Sequence, residues 1–268
     1  MAIRPNQPQT IGGVLDISFQ LYKAAIGSVW PLSLLMILAS SPQSIYALVH
    51  GGFTVNPSDP TAALAMYRLP GYWLTTLLGL ALTLWVGGAL VKKTNAIGAD
   101  EELGVGAALQ ATLGNLGSLV AMTILFMLAV GIGLVLLAVP GLILMVSLIL
   151  GTILIVVEGR GPIAALGGSH RLVWGDWWRT SAVLTVGFLI VLVAYVAVGL
   201  VAGVVVAVVG LGSDPIMSAM VSVLIVSAVM NLFLTPYYVS LLLSIYWDLK
   251  LRKEGGDLAA RVGALGTA

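Results

Sequence analysis

Six apolar runs, each roughly twenty residues long, divide this chain and leave few folds open to it. A run of that length crosses a ~30 Å hydrocarbon core as a helix, and within lipid only a helix or a closed barrel satisfies its own backbone. A barrel would show ~10-residue strands alternating polar and apolar positions, and no such alternation occurs. Of the 268 residues, 59% are hydrophobic and only 9% are charged. A soluble domain carries about 25% charged residues, so this composition cannot cover a water-exposed surface. The fold class is therefore all-α and polytopic: six transmembrane helices accompanied by three interfacial amphipathic helices.

Residues 1–9 read as a disordered lead, and the stretch before Asp16 lacks the apolar core of a cleaved signal. From Thr10 to Ile26, Ile11, Leu15, Phe19, Tyr22 and Ile26 recur near helical spacing, with Asp16, Gln20 and Lys23 opposite. This pattern predicts a helix lying in the interface and ended by Gly27. Trp30-Pro31 opens span one, which runs to about Val49 and is broken or kinked at Ser40-Ser41-Pro42-Gln43-Ser44. After an outer loop over residues 51–70, span two runs from Gly71 to Val91 and stops at Lys92-Lys93. Asp100 suits the N-cap of a second amphipathic stretch, Leu103 to Leu116. Span three (117–138), a turn at Val139-Pro140-Gly141 and span four (142–157) lead to a third polar segment, Glu158 to Arg179. Span five (180–209), a turn at residues 210–215 and span six (216–247, interrupted by Pro236) complete a domain over residues 10–249, and a charged, then disordered, tail occupies 250–268.

The unit of surface helix, span, short outer turn and span recurs three times. In residues 21–35, 109–122 and 170–184 a helical stretch ends at glycine (Gly27, Gly114, Gly175), and a large apolar residue (Trp30, Leu116, Trp178) leads into a span. An interfacial elbow of any kind has the same look, so both readings of the echo stand. With six spans, eleven of the twelve Lys and Arg residues fall on one side and only Arg68 falls opposite. The positive-inside rule makes that side, with both termini, cytoplasmic; the location implied is a bacterial inner membrane.

Catalytic constellations are missing. His50 and His170 sit on opposite faces by this topology, and no zinc-protease, nucleophile-elbow or phosphate-loop motif occurs. No cofactor or metal is implied, and zero cysteines exclude disulfides and thiolate sites. A net charge of +1 gives no reason to expect nucleic acid as a partner. The candidate rim residues are Glu158, Arg171, Trp174, Trp178, Arg179, Lys250, Arg252 and Lys253. Glu158 follows an apolar span and has Arg160 beside it, with Arg171 or Arg179 of the third surface helix as further partners; a lipid-headgroup contact or a simple stop-transfer boundary explains the charges equally. Trp174, Trp177 and Trp178, with Trp30 and Trp247 at the same level, read as an aromatic belt or a binding cage. Gln43 and Asn231 are the candidate intramembrane polar site, with local packing as the alternative. Gly199, Gly203 and Ala207 make a small-residue stripe through which helices approach closely, within the chain or between copies.

At Pro140-Gly141, Glu158-Gly159-Arg160-Gly161-Pro162, Ala165, Ser169, Leu172-Val173-Trp174-Gly175 and Trp178 the chain resembles the membrane domain of membrane-anchored glycerophosphodiester phosphodiesterases, stand-alone bacterial members included. Thr10-Ile11-Gly12 with Leu15-Asp16, and Tyr246 through Glu254, are similar to that family's two ends, although Trp247 stands where the family more often has Tyr. The resemblance implies a six-helix domain with interfacial helices and no established activity of its own; the phosphodiesterase activity belongs to a separate soluble barrel that has no counterpart here, so the enzymatic label does not transfer. The function expected is a non-enzymatic scaffold or lipid-interacting module with anionic lipids as partners. A small transporter or channel using broken spans one and six is the alternative.

Overall fold

The computed structural model describes residues 3–50, 62–208 and 215–265. Within them the chain forms α1 (Ile11–Ser40), α2 (Pro42–Val49), a 3-10 turn (Ala62–Arg68), α3 (Pro70–Gly98), α4 (Val105–Leu113), α5 (Leu116–Leu136), α6 (Ala138–Leu148), α7 (Gly151–Glu158), α8 (Pro162–Val173), α9 (Trp177–Val208), α10 (Pro215–Val229), a π-helical turn (Met230–Leu234) and α11 (Thr235–Leu265). Six stretches are long and apolar enough to cross a membrane: Ile11–Val49, Pro70–Gly98, Leu116–Leu136, Ala138–Glu158, Trp177–Val208 and Val221–Gly255. The chain is thus an all-α, multi-pass membrane protein, and Leu74, Ile132, Val135, Phe188, Leu200 and Val204 face outward along it. Most of the outer loop and the turn after span five lie outside the described residues. The tail expected to be disordered continues α11 as helix to Leu265.

The bundle is built around α11. From Pro236 to Leu249 every residue except Tyr238 is buried, so this helix has neighbours on all sides. One of them is α1, whose Val14, Ser18, Leu21, Ala25, Val29, Leu32, Met36 and Ala39 form one unbroken buried stripe. That stripe explains why Gly27 does not end the first helix. A glycine costs about 1 kcal/mol in a helix interior, which is small against tertiary packing on both sides of it. The expected interfacial helix is therefore the first half of α1, and it packs into the bundle instead of lying beside it. Its outer face changes from Asp16, Gln20 and Lys23 to Trp30, Leu34 and Leu38, all exposed, and Gln20 donates to Asp16 there (2.8 Å).

The other breaks follow proline and backbone geometry. α1 stops at Ser40 and α2 restarts with Pro42 at its first turn, where the missing N–H costs nothing. The turn expected at Val139-Pro140-Gly141 falls earlier, at Leu137 in extended conformation, and Pro140 sits in the first turn of α6. It is not the outer turn expected, across the membrane from the third polar segment: Val139 and Ile143 line a cavity with Trp174 and Trp178, and the Trp177 indole donates to Ile143 O (3.3 Å), too close for a ~30 Å hydrocarbon core to lie between them. Before Pro236, the chain widens into the π turn, and the Thr235 hydroxyl donates to Met230 O (3.3 Å). α3 does not stop at Lys92-Lys93 but runs to Gly98, so Asp100 takes up the reversal in a left-handed conformation (φ 65°) and Gly104 caps α4. Two of the three elbows are real breaks, at Gly114 and at Gly175; the one at Gly27 is not.

Candidate functional site

The segment after α7 is a stop followed at once by a start. Gly159 is left-handed (φ 68°), the conformation that closes a helix; its N–H donates to Ile155 O (3.0 Å), and Arg160 N–H donates to Leu154 O (3.3 Å). Gly161 then caps α8, with Pro162 first in line. α8 runs back along α7. Its buried Ser169 hydroxyl donates to Ser147 O (2.8 Å) and accepts from Leu150 N–H (3.1 Å), which satisfies the backbone where α6 gives way to α7.

This reversal points Glu158 at α11. One carboxylate oxygen accepts from the Tyr246 hydroxyl (2.6 Å) and from Lys250 Nζ (2.8 Å); the other accepts from Arg160 Nε and Nη2 (both 2.6 Å). Neither Arg171 nor Arg179 reaches it. The reason is direction: α8 carries Arg171 away from Glu158 toward its own far end, while α11 passes beside α7. Lys250 also touches the Tyr246 hydroxyl (3.1 Å) and closes a triangle.

Arg179 serves a second carboxylate. Asp248, with a side chain only 3% exposed, accepts from Arg179 Nη2 (3.1 Å) and Nε (3.3 Å), Arg252 Nε (3.0 Å) and the backbone N–H of Gln9 (2.7 Å). Both arginines also donate from Nη2 to Gln9 O (2.5 Å each), which Arg179 Nη2 does while holding Asp248. The N-terminal lead is thus held from Ile3, whose N–H reaches Gly98 O (3.0 Å), to Gln9. It is a strap across the polar end and not the free lead expected. With Glu254 3.7 Å from Lys250, the four cations of the two latches face three carboxylates, a surplus of one positive charge.

The eight rim candidates therefore divide. Glu158, Arg179, Lys250 and Arg252 are partners in internal latches, whereas Arg171, Trp174, Trp178 and Lys253 stand on the outside. Trp174 is 57% and Trp178 83% exposed. Lys253 Nζ donates to Trp174 O (2.9 Å) and lies 3.7 Å from Asp176. Trp247 is no belt residue: it is buried, its indole donates to Asn95 Oδ1 (3.2 Å), and it packs on Gly98 with no room for a Cβ there. Nor does Trp30 share the level of Trp178. Val14 lies beside Arg179 and Asp248, and Trp30 is sixteen residues further on, about 24 Å along a helix.

Gln43 and Asn231 do not form one site. Gln43 donates to the Tyr72 hydroxyl of α3. Asn231 donates to Ser227 O (3.0 Å) within its own helix and borders a cavity of about 280 Å³ with Tyr195, Gly199, Ser222 and Ser227. A side chain at Gly199 or Gly203 would meet nothing within 4 Å among the described residues: Gly199 faces the cavity that separates it from α10, and Gly203 is exposed, so neither makes a close helix contact there. His50 stacks on Tyr46 and His170 tilts against Trp174. Among the described residues no three His, Asp or Glu side chains come together as a metal set.

Sequence reasoning missed Tyr246, Asp248, Asn95 and Gln9. Asp248 carried a local signal, since Arg252 follows it at i+4 on a helix. Asn95 and Gln9 carried none.

Residues 24–244 match the family described as Domain of unknown function (DUF7847), and the chain belongs to that family. No curated protein and no solved structure matches it.

Proposed function

We propose that this member of the DUF7847 family is a non-enzymatic, lipid-interacting scaffold of the bacterial inner membrane, with both termini cytoplasmic. The observation that carries the reading is the division of the basic end. Its inward charges are consumed in latches that hold α7, α9 and the N-terminal strap to α11, and Arg171 and Lys253 remain outside near two exposed indoles. Basic side chains at an anionic surface contribute about 1 kcal/mol each. Replacing Arg171 and Lys253 with glutamine should halve or better the anionic lipid that copurifies, with an unchanged melting temperature. Unchanged lipid retention refutes the reading. Orientation is tested separately by reporter fusions at Pro57 and at the C-terminus: equal cytoplasmic activity at both positions overturns it.

On the same footing we place the chain beside the membrane domains of membrane-anchored glycerophosphodiester phosphodiesterases, without their enzymatic activity. A second reading, a small transporter or channel, draws on the π turn and on the cavity beside Asn231, since π turns often occur at functional positions. Flux of ions or small solutes into proteoliposomes that is lost in Asn231→Leu would favour it over the scaffold.

A further inference from the structure

We propose that a cleft between α6 and the start of α9 binds one anionic phospholipid, an inference that rests on the lipid-interacting reading and gives it a site. The cleft holds about 430 Å³ and is lined by Val139, Ile143, Trp174, Gly175, Trp177 and Trp178. That volume is in the ~300–1,000 Å³ range of ligand sites. Its walls are apolar and its mouth is not.

The backbone creates the opening. Gly175 has φ 97°, which a side chain resists, and its turn sets Trp174 on one lip and Trp178 on the other. Trp177 spends its indole N–H inward on Ile143 O (3.3 Å) and meets Trp178 edge to face, with centroids 4.8 Å apart. The indole N–H groups of Trp174 and Trp178 have no acceptor among the described residues, although both side chains are largely exposed. Lys253 Nζ lies 3.2 Å from where a Cβ of Gly175 would stand, so an ammonium sits at the mouth. Trp174 O takes one of its three donors; at 3.7 Å the Asp176 carboxylate is an ion-pair partner without a hydrogen bond, and two donors stay unused. Arg171 is exposed and has no partner among the described residues; with it, Arg160, Arg179, Lys250, Arg252 and Lys253 outnumber Glu158, Asp176, Asp248 and Glu254 at this end, which leaves it net positive. An apolar trough leading to two free indole donors and an ammonium matches an acyl chain against Val139 and Ile143 with a phosphate at Lys253. The net positive charge selects an anionic headgroup over a zwitterionic one.

Native mass spectrometry of the full chain, released from micelles holding equal phosphatidylglycerol and phosphatidylcholine, tests this. The wild type should keep one phosphatidylglycerol in preference. Ile143→Trp, which fills the cleft, and Trp178→Ala, which removes an exposed wall without touching the core, should each lose that lipid. Lys253→Gln should lower the phosphatidylglycerol preference about fivefold, the equivalent of ~1 kcal/mol for one basic side chain. A bound lipid that survives Trp178→Ala and Ile143→Trp overturns the cleft and spares the scaffold reading. Equal retention of the two lipids by the wild type overturns both. A dimer mass in place of bound lipid, abolished by Trp178→Ala, assigns the cleft to a second copy and also refutes the proposal.

Discussion

Asp248→Asn should be among the most damaging isosteric changes at the polar end. The carboxylate takes four hydrogen bonds, all from donors, and three of them come from arginines. The amide keeps the shape, removes the charge, and turns an NH2 toward groups that can only donate. Breaking a buried ion pair by removing one partner costs about 3–5 kcal/mol. Arg179 and Arg252 are 21% and 28% exposed, so water relieves part of their isolation and the lower limit applies, about 3 kcal/mol. For a chain of this size each kcal/mol moves the midpoint by roughly 2–4 °C, giving a fall of about 6–12 °C in detergent, followed by tryptophan fluorescence. Because the two arginines that also hold Gln9 O lose their carboxylate anchor, the strap should also become sensitive to protease at residues 3–9. A double-mutant cycle with Arg179→Gln should show coupling of at least ~1 kcal/mol, and Arg171→Gln, which breaks no contact, should leave the midpoint unmoved. A shift under about 2 °C, or strict additivity with Arg179→Gln, would refute the reasoning.

Glu158→Gln should cost less, roughly 1–2 kcal/mol, because its partners reach the surface; a cycle with Lys250→Gln in thermal melts should show coupling, and additivity would reduce Glu158 to the polar end of a span. Gly98→Ala should push Trp247 from its seat at a cost of about 1–3 kcal/mol, and adding Trp247→Leu should restore part of the loss; a single variant as stable as wild type contradicts the packing. Gly203→Ile enters open space, so it should leave the midpoint unchanged. It should dissociate a homo-oligomer formed through Gly199, Gly203 and Ala207, as read by light scattering of the detergent complex; an assembled wild type whose mass the variant does not alter excludes that stripe as the contact.

Hydropathy made the spans legible, because a run of Leu, Val and Ile has one solvent it can enter. Prolines made two of the breaks legible, at Pro42 and before Pro236, because a missing N–H acts locally. The stop at Glu158 was visible because a charge ends an apolar run, whereas the left-handed cap at Gly159 behind it was not read. What stayed hidden was helix rotation. Glu158 finds Lys250 ninety-two residues away, and in a chain greasy on every face no periodic stripe announces which side of α11 meets α7. The same uniformity concealed that α1 continues through Gly27. Its first half looked interfacial because Asp16, Gln20 and Lys23 line one face, yet the opposite face is buried against α11 and α3. An amphipathic pattern reports that one side is wet and leaves open whether lipid or protein covers the other.

The placement of the two latches bears on how such a bundle acquires a single structure. Tyr246 and Lys250 are one turn apart and meet Glu158; Asp248 and Arg252 are one turn apart and meet Arg179 and the strap. Residues 246 and 248 project about 200° apart on a helix, so the latches grip nearly opposite sides of α11. Between them Trp247 and Leu249 are buried against neighbouring helices. In lipid, apolar helices gain no hydrophobic drive from one another and associate through packing and polar contacts, so an apolar α11 alone would have many rotations of similar energy. A turn of one residue, about 100°, would withdraw both carboxylates from their cations and drive Trp247 off Gly98. The latches therefore act as selectors of one rotation more than as sources of net stability, a role in which buried ion pairs are best attested. Their position at the polar end fits that role. There water eases the desolvation of the arginines and lysine, and the apolar length of α11 is left to fill the core.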